Sequence, residues 1–269
     1  MKMKIETRNN VKVTGNGPVT MLLAHGFGCD QSMWRFLAPN YVDRYRVITF
    51  DLVGSGKSDL AAYDREKYST LHGYADDVLD IIEAYADGPV IFVGHSVSSM
   101  VGMLAAIKRP ELFALQVMVG PSPSYINHGA YVGGFAREDI EELLETMESN
   151  YLGWSSNLAP AIMGAPDQPA LGEELTNSFC RTDPDIAKHF ARVTFMSDHR
   201  NDVPKCATPT LILQCSDDMI APVAVGEYMQ HNLPNGTLRI IENVGHCPHM
   251  SAPTTSSQAI DEFLASTLR

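Results

Sequence analysis

A chain of 269 residues is long enough to bury roughly three quarters of the surface its unfolded form exposes, so its core needs no disulfide or metal staple. With 45% hydrophobic and 19% charged residues and no low-complexity run, the composition is that of an ordinary globular domain. The formal net charge of -12 argues against nucleic acid and against an anionic membrane as partners, since both are bound by basic surfaces.

The N-terminal MKMKIETRNN has lysines but no apolar stretch behind them, which is not the pattern of a signal peptide. Val19–Ala24 (VTMLLA) is the first continuous apolar run and ends at His25-Gly26-Phe27-Gly28. Arg46–Phe50 (RVITF) is the second and ends at Asp51 and the turn VGSGKS. That turn finishes in GKS, as a phosphate-binding P-loop does, but Asp51 stands where the motif requires its first glycine, so it reads as a glycine-rich turn. A helical pattern over Tyr74–Ala86 precedes the run Val90–Val93 (VIFV), which ends at Gly94-His95-Ser96. A second helical pattern, Val97–Lys108, leads to Leu115–Val119 (LQVMV) and GPSP. Short β-branched runs without polar alternation are strands buried on both faces, and strands alternating with helices imply a mostly parallel sheet.

From residue 124 to 202 the pattern is helical, with no convincing strand. In Arg137–Tyr151 the residues Ile140, Leu143, Leu144, Met147 and Tyr151 fall at helical spacing. Asp183-Pro184 reads as an N-cap followed by proline at the first helical position, with Ile186, Phe190 and Val193 on one face beyond it. Strands return with Thr210–Cys215 (TLILQC), ending at Ser216-Asp217-Asp218, and Thr237–Glu242 (TLRIIE), ending at Asn243-Val244-Gly245-His246. A final amphipathic helix holds Ile260, Phe263 and Leu264. Residues 1–123 and 203–269 therefore form one α/β core, and 124–202 is a helical insertion. Its position after a strand end places it over the crevice where open α/β sheets bind ligands, as a lid.

Five cysteines (Cys29, Cys180, Cys206, Cys215, Cys247) are an odd set without a CxxC pair, which suits reduced thiols in the cytoplasm. No run approaches 18 apolar residues, the length that would span a membrane.

The chemistry sits at the strand ends. Gly94-His95-Ser96-Val97-Ser98, between a strand and a helix, is nearly the G-x-S-x-G nucleophile elbow, with Ser98 in place of the second glycine. His25-Gly26-Phe27-Gly28 supplies a loop whose backbone N–H groups can face a developing oxyanion; with the residue after the serine, the donors are Phe27 and Val97. An acid follows at Asp217 or Asp218 and a base at His246 or His249, in the chain order Ser, Asp, His. Position within each loop favours Asp218 and His246. His95, Phe135, Trp154 and Phe195 are candidates for the substrate pocket. The histidines and Cys247 near residue 246 lack a further ligand set for a metal, and no cofactor is expected.

The strings HGFGCDQSMW, DLVGSGKSDL, GHSVSSM, GPSPSYIN, SDHRND, LQCSDDMIAP and GHCPHMSAP resemble the RsbQ-like α/β-hydrolases of bacterial stress signalling, and more distantly the plant strigolactone and karrikin receptor hydrolases. The likeness runs nearly end to end. It implies an α/β-hydrolase fold with a four-helix lid over a closed hydrophobic cavity. Carried over by position, it assigns the triad to Ser96, Asp218 and His246 and the oxyanion donors to Phe27 and Val97. It also implies a small hydrophobic ester or lactone as ligand, and a PAS-containing phosphatase of the RsbP type as partner in activating a general stress sigma factor. Three classes of function follow: a serine hydrolase, a signalling component whose output is contact with a partner, and a binding protein on an inactive scaffold, which the intact triad disfavours. Dehalogenase or epoxide hydrolase chemistry needs a carboxylate at the elbow, where this chain has Ser96. Haloperoxidase and C–C bond hydrolase chemistry would use the same triad.

Overall fold

Each apolar run becomes a strand, and the pairing explains why no polar face interrupts it. The structure is a computed structural model that describes residues 4–268, so Met1–Met3 of the N-terminal stretch lie outside it. Seven strands, β1 (Lys12–Thr14), β2 (Thr20–Ala24), β3 (Arg46–Phe50), β4 (Val90–His95), β5 (Phe113–Val119), β6 (Thr210–Asp217) and β7 (Gly236–Val244), form one sheet in the order β1-β3-β2-β4-β5-β6-β7. All neighbours pair in parallel except β1, which runs antiparallel to β3. The α-helices of the described residues are α1 (Ile5–Arg8), α2 (Leu71–Tyr85), α3 (Val97–Lys108), α4 (Arg137–Ser149), α5 (Tyr151–Met163), α6 (Pro169–Arg181), α7 (Pro184–Phe195), α8 (Val223–Asn232), α9 (Pro248–Ser251) and α10 (Pro253–Thr267). No helix among them is long and apolar enough to cross a membrane.

Successive strand residues point to opposite faces, and both faces of the inner strands β2–β6 are covered, while the edge strands β1 and β7 are largely exposed or half-buried. Leu22, Ile48, Phe92 and Ile212 pack with Ile81 of α2, Val101 of α3 and Val225 of α8. Leu23, Val47, Val93, Val117 and Leu213 pack on the other side with Trp34 and with Ile260 and Leu264 of α10. Each buried aliphatic side chain contributes roughly 1.5–3 kcal/mol. The second cluster continues without a break into the helices between β5 and β6, through Ile140, Leu144, Trp154, Leu175, Phe179 and Phe195.

The structure adds one strand and divides one helical pattern. The sheet has a seventh strand, β1, whose three residues are all exposed and so carry no apolar signal. The helical pattern over Arg137–Tyr151 divides at Asn150: α4 stops at Ser149, and the Asn150 side chain accepts from Gly153 N–H at 3.0 Å to cap α5. The Asp183 cap forms as its sequence suggests, accepting from Asp185 and Ile186 N–H at 3.0 and 3.1 Å. The VGSGKS segment is a turn around Asp51, whose carboxylate accepts from Lys57 N–H at 2.8 Å.

Three histidines, His25, His95 and His249, are buried at or behind the C-terminal ends of the strands. His25 bridges two loops: its Nε2 accepts from Leu52 N–H at 3.0 Å, so its Nδ1 carries the proton and donates to Gly26 O at 2.8 Å. Burial lowers all three pKa values, that of His95 far below the ordinary range and that of His249 to about 3. The folded state thus favours the neutral rings more than the unfolded chain does, where histidine titrates near 6.5. The stability this provides is complete above pH 6.5 and is lost as pH falls from there toward the folded values. Urea unfolding at pH 7, 6 and 5 should show a falling free energy, each histidine adding a slope of up to about 1.4 kcal/mol per pH unit. A flat profile, or one that His249→Phe leaves equally steep, contradicts this account.

Candidate active site

β4 ends at His95 and α3 begins at Val97, so Ser96 alone makes the turn. Its backbone sits at φ 54°, ψ -123°, a strained conformation for a residue with a Cβ, costing on the order of 1–3 kcal/mol. Neighbouring bonds hold it there. Ser96 N–H donates to Val119 O at 2.8 Å, and Ser99 Oγ donates to Gly94 O at 2.8 Å. Ser98, which departs from the elbow pattern, uses its side chain: Oγ donates to His25 O at 2.5 Å, tying the elbow to the HGFG loop.

β6 and β7 deliver the other two groups. Asp218 follows the end of β6, and its Oδ1 accepts from Ile220 and Ala221 N–H at 2.8 and 3.1 Å, leaving Oδ2 free to point at His246. Gln214 Nε2 donates to Ala221 O and steadies the same loop. After β7, Gly245 takes φ 104° and turns His246 inward. His246 Nδ1 then lies 2.7 Å from Asp218 Oδ2, and His246 Nε2 lies 2.8 Å from Ser96 Oγ. All three residues are buried, at 3–7% exposure. Asp217 is exposed at the strand end, and His249 packs against Trp34 with no hydrogen-bond partner on either ring nitrogen. Of the four alternatives left open by sequence, the structure brings Asp218 and His246 to Ser96.

Phe27 lines the cavity at Ser96, and Val97 occupies the first position of α3, where a helix N–H has no intrahelical acceptor and the helix dipole is positive. The cavity also takes in His95 and Phe195. Phe135 and Trp154 are not in its wall. Phe135 bridges to Ile126 at the base of the helical segment, and Trp154 stands one layer back, stacked on Phe179 at 5.7 Å. The wall residues that sequence reading missed include Tyr125, Ile162, Leu175, Phe179 and Ile220, with Cys29, Thr194 and Cys247 beside them. Tyr125 lies in the string GPSPSYIN, directly after the β5 strand end, which was a usable signal; burial pushes its phenol up to about 12. Phe27 is packed by Phe179, Phe190 and Phe195 at 5.6–5.9 Å, with Trp154 at 6.3 Å. The free volume at Ser96 is about 30 Å³, room for one or two waters. A larger groove of about 790 Å³ between α5 and α6 contains none of these residues, so size does not mark the site.

The helices reach the site through backbone contacts. His246 N–H donates to Ile162 O at 2.8 Å, and Ser178 Oγ donates to Gly28 O at 2.7 Å. A methyl group at Gly245 would overlap Met163 O. Gly245→Ala therefore has to shift either the end of α5 or the His246 loop, at φ 104° where a Cβ adds its own strain. The expected result is a stability loss of about 2 kcal/mol or more by urea unfolding and loss of whatever reaction Ser96 performs; a variant with wild-type stability would show that the contact is loose.

The sequence from residue 21 to 258 matches the model of the alpha/beta hydrolase family. Among curated proteins the chain is 42% identical over 250 residues to the karrikin insensitive 2 receptor CA of Petunia hybrida, with 93% of each chain covered. It is 38% identical over 256 residues to a strigolactone esterase of Arabidopsis thaliana, covering 95% of this chain and 96% of the other. Among solved structures, a hydrolase from Oleispira antarctica superposes with a TM-score of 0.94 at 45% identity, over 97% of this chain and 96% of that one. With the sheet order, the turn at Ser96 and these likenesses together, the chain belongs to the α/β hydrolase family.

Proposed function

We propose that the protein is a serine hydrolase of small hydrophobic esters or lactones, with Ser96 as nucleophile, His246 as general base and acid, and Asp218 as the group that orients His246. The observation that carries this reading is the continuous hydrogen-bonded chain Ser96 Oγ, His246 Nε2, His246 Nδ1, Asp218 Oδ2, at 2.8 and 2.7 Å, in an apolar cavity. Ser96 Oγ attacks the acyl carbon as His246 Nε2 takes its proton. The oxyanion is met by Phe27 and Val97 N–H, each contributing about 3–4 kcal/mol in such sites. His246 returns the proton to the leaving oxygen, and a water activated by the same nitrogen then hydrolyses the acyl-enzyme. The wall of Phe27, Ile162, Leu175, Phe179 and Phe195 selects an apolar substrate. Relatives named as esterases favour ester chemistry.

In this reading residues 124–202 act as a lid. A space of about 30 Å³ is too small for a substrate, so α5–α7 side chains must move for entry, and the closed state keeps bulk water from the acyl-enzyme. Five unpaired cysteines fit a cytoplasmic location.

A second output is favoured by the likeness to a protein named as a receptor at 42% identity over 93% of both chains, and by the resemblance to RsbQ. Here occupancy of the cavity changes the lid surface, and a partner such as a PAS-containing phosphatase reads that change. Exposed substitutions on α4 or α6 should then abolish signalling while sparing turnover; if every signalling-dead variant is also hydrolysis-dead, this output loses its support.

The hydrolase reading is tested by mass spectrometry after treatment with a fluorophosphonate. Wild type should gain one adduct and Ser96→Ala none, with Asp218→Asn lowering kcat/KM on short esters about 10⁴-fold. An equal adduct on Ser96→Ala would place the reactive group elsewhere.

A further inference from the structure

His246 is anchored by its backbone on both sides. Its N–H is held by Ile162 O, and its carbonyl, at 2.9 Å, faces His95 Nε2. A carbonyl only accepts, so His95 must carry its proton on Nε2 and leave Nδ1 bare. The surroundings agree with that tautomer. Nδ1 has no hydrogen-bond partner, and it faces Gly26 so closely that a Cβ there would lie 2.5 Å away. The ring is 3% exposed and fixed by His249, whose centroid is 4.5 Å distant. Burial, with His249 and His246 nearby, holds His95 neutral. Its one donor is committed to the protein, so although His95 lines the cavity it offers no proton to a ligand.

His95 is also the residue before Ser96. A single side chain therefore links the backbone carrying the nucleophile to the backbone carrying the base. We propose that His95 is a positioning residue, whose Nε2–H holds the His246 carbonyl and thereby sets the distance from His246 Nε2 to Ser96 Oγ. This rests on the reading of Ser96 and His246 as nucleophile and base. The side chain of His246 has to serve two partners in turn, Ser96 Oγ and the leaving oxygen, and can do so only if its own backbone does not drift. Misplacement of a catalytic group by about 1 Å can cost about 100-fold in rate.

The test compares His95→Leu, which removes the donor at similar volume, with His95→Gln, whose Nε2 amide can reach the same carbonyl. With wild-type labelling by fluorophosphonate established, Leu should lower kcat and the labelling rate about 100-fold and leave KM within a few-fold. Gln should recover most of the loss. The downfield proton resonance of the His246–Asp218 hydrogen bond should broaden in Leu and persist in Gln. A folded Leu variant with wild-type kcat overturns the proposal, as does a folded Gln variant as impaired as Leu. If Leu does not fold, imidazole nitrogen spectra of the wild type decide: His95 must show a protonated Nε2 and bare Nδ1 at pH 7, and the opposite tautomer or a cationic ring removes the proposal. Failure of the hydrolase reading is distinguishable, because wild type would then take no label at all while the tautomer measurement still reports on His95.

Discussion

The backbone at Ser96 is forced through φ 54° between a strand and a helix, and the rest of the site is arranged around keeping it there. The strain, on the order of 1–3 kcal/mol, persists because independent groups oppose its relief: Val119 O from β5, Gly94 O through Ser99, and His25 O through Ser98. β5 is a neighbour of β4 in the sheet, and His25 ends β2 on the other side. The parallel pairing that puts all the strand ends at one edge is thus also what over-determines the turn. His25 closes the ring of contacts by bonding Leu52 N–H beyond β3. The consequence is a serine hydroxyl held proud of the sheet, within 2.8 Å of an imidazole.

The helical insertion is not an independent cover. Its apolar residues belong to the same core cluster as one face of the sheet, and two of its backbone or hydroxyl contacts end on site residues, Ile162 on His246 and Ser178 on Gly28. Phe27 connects the same two layers: its ring packs with Phe179, Phe190 and Phe195, and the residue lines the cavity at Ser96. In the proposed function, admitting a substrate to a space of about 30 Å³ disturbs groups that also set the geometry at Ser96. In the proposed function this couples occupancy to the lid without any additional device, which is how one site can serve both turnover and signalling.

The strands and the order of chemical groups were legible because they are local signals: unbroken β-branched runs, each stopping at a loop with glycine, serine, acid or histidine. What sequence left open was decided by packing across the fold. Asp217 and Asp218 are neighbours in sequence, but only the second has Ile220 and Ala221 N–H to orient its carboxylate. β1 was invisible because an exposed three-residue edge strand has no hydrophobic pattern. Phe179 and Trp154 lie on different insertion helices and stack on each other; which of the two faces the cavity depends on how α5 and α6 are rotated, and residue spacing within one helix does not carry that. Phe179 covers Gly28, some 150 positions away in sequence, a contact that no window along the chain contains.

The neutrality of His95, which burial imposes, suits what His246 does in the proposed reaction. When His246 takes the serine proton it becomes cationic, stabilised by Asp218. The His95 and His246 rings are 5.1 Å apart, so a second cation at position 95 would oppose that charge by about 3 kcal/mol at an effective dielectric near 20, enough to slow the step more than a hundredfold. A lysine or arginine there would make a stronger hydrogen bond to the His246 carbonyl and a worse enzyme. An imidazole kept neutral by burial holds the carbonyl without adding charge, and its expected cost is the acid sensitivity of a core that must keep His25, His95 and His249 uncharged. The expected acid lability and the proposed placement of the base are, in this fold, two consequences of buried neutral rings.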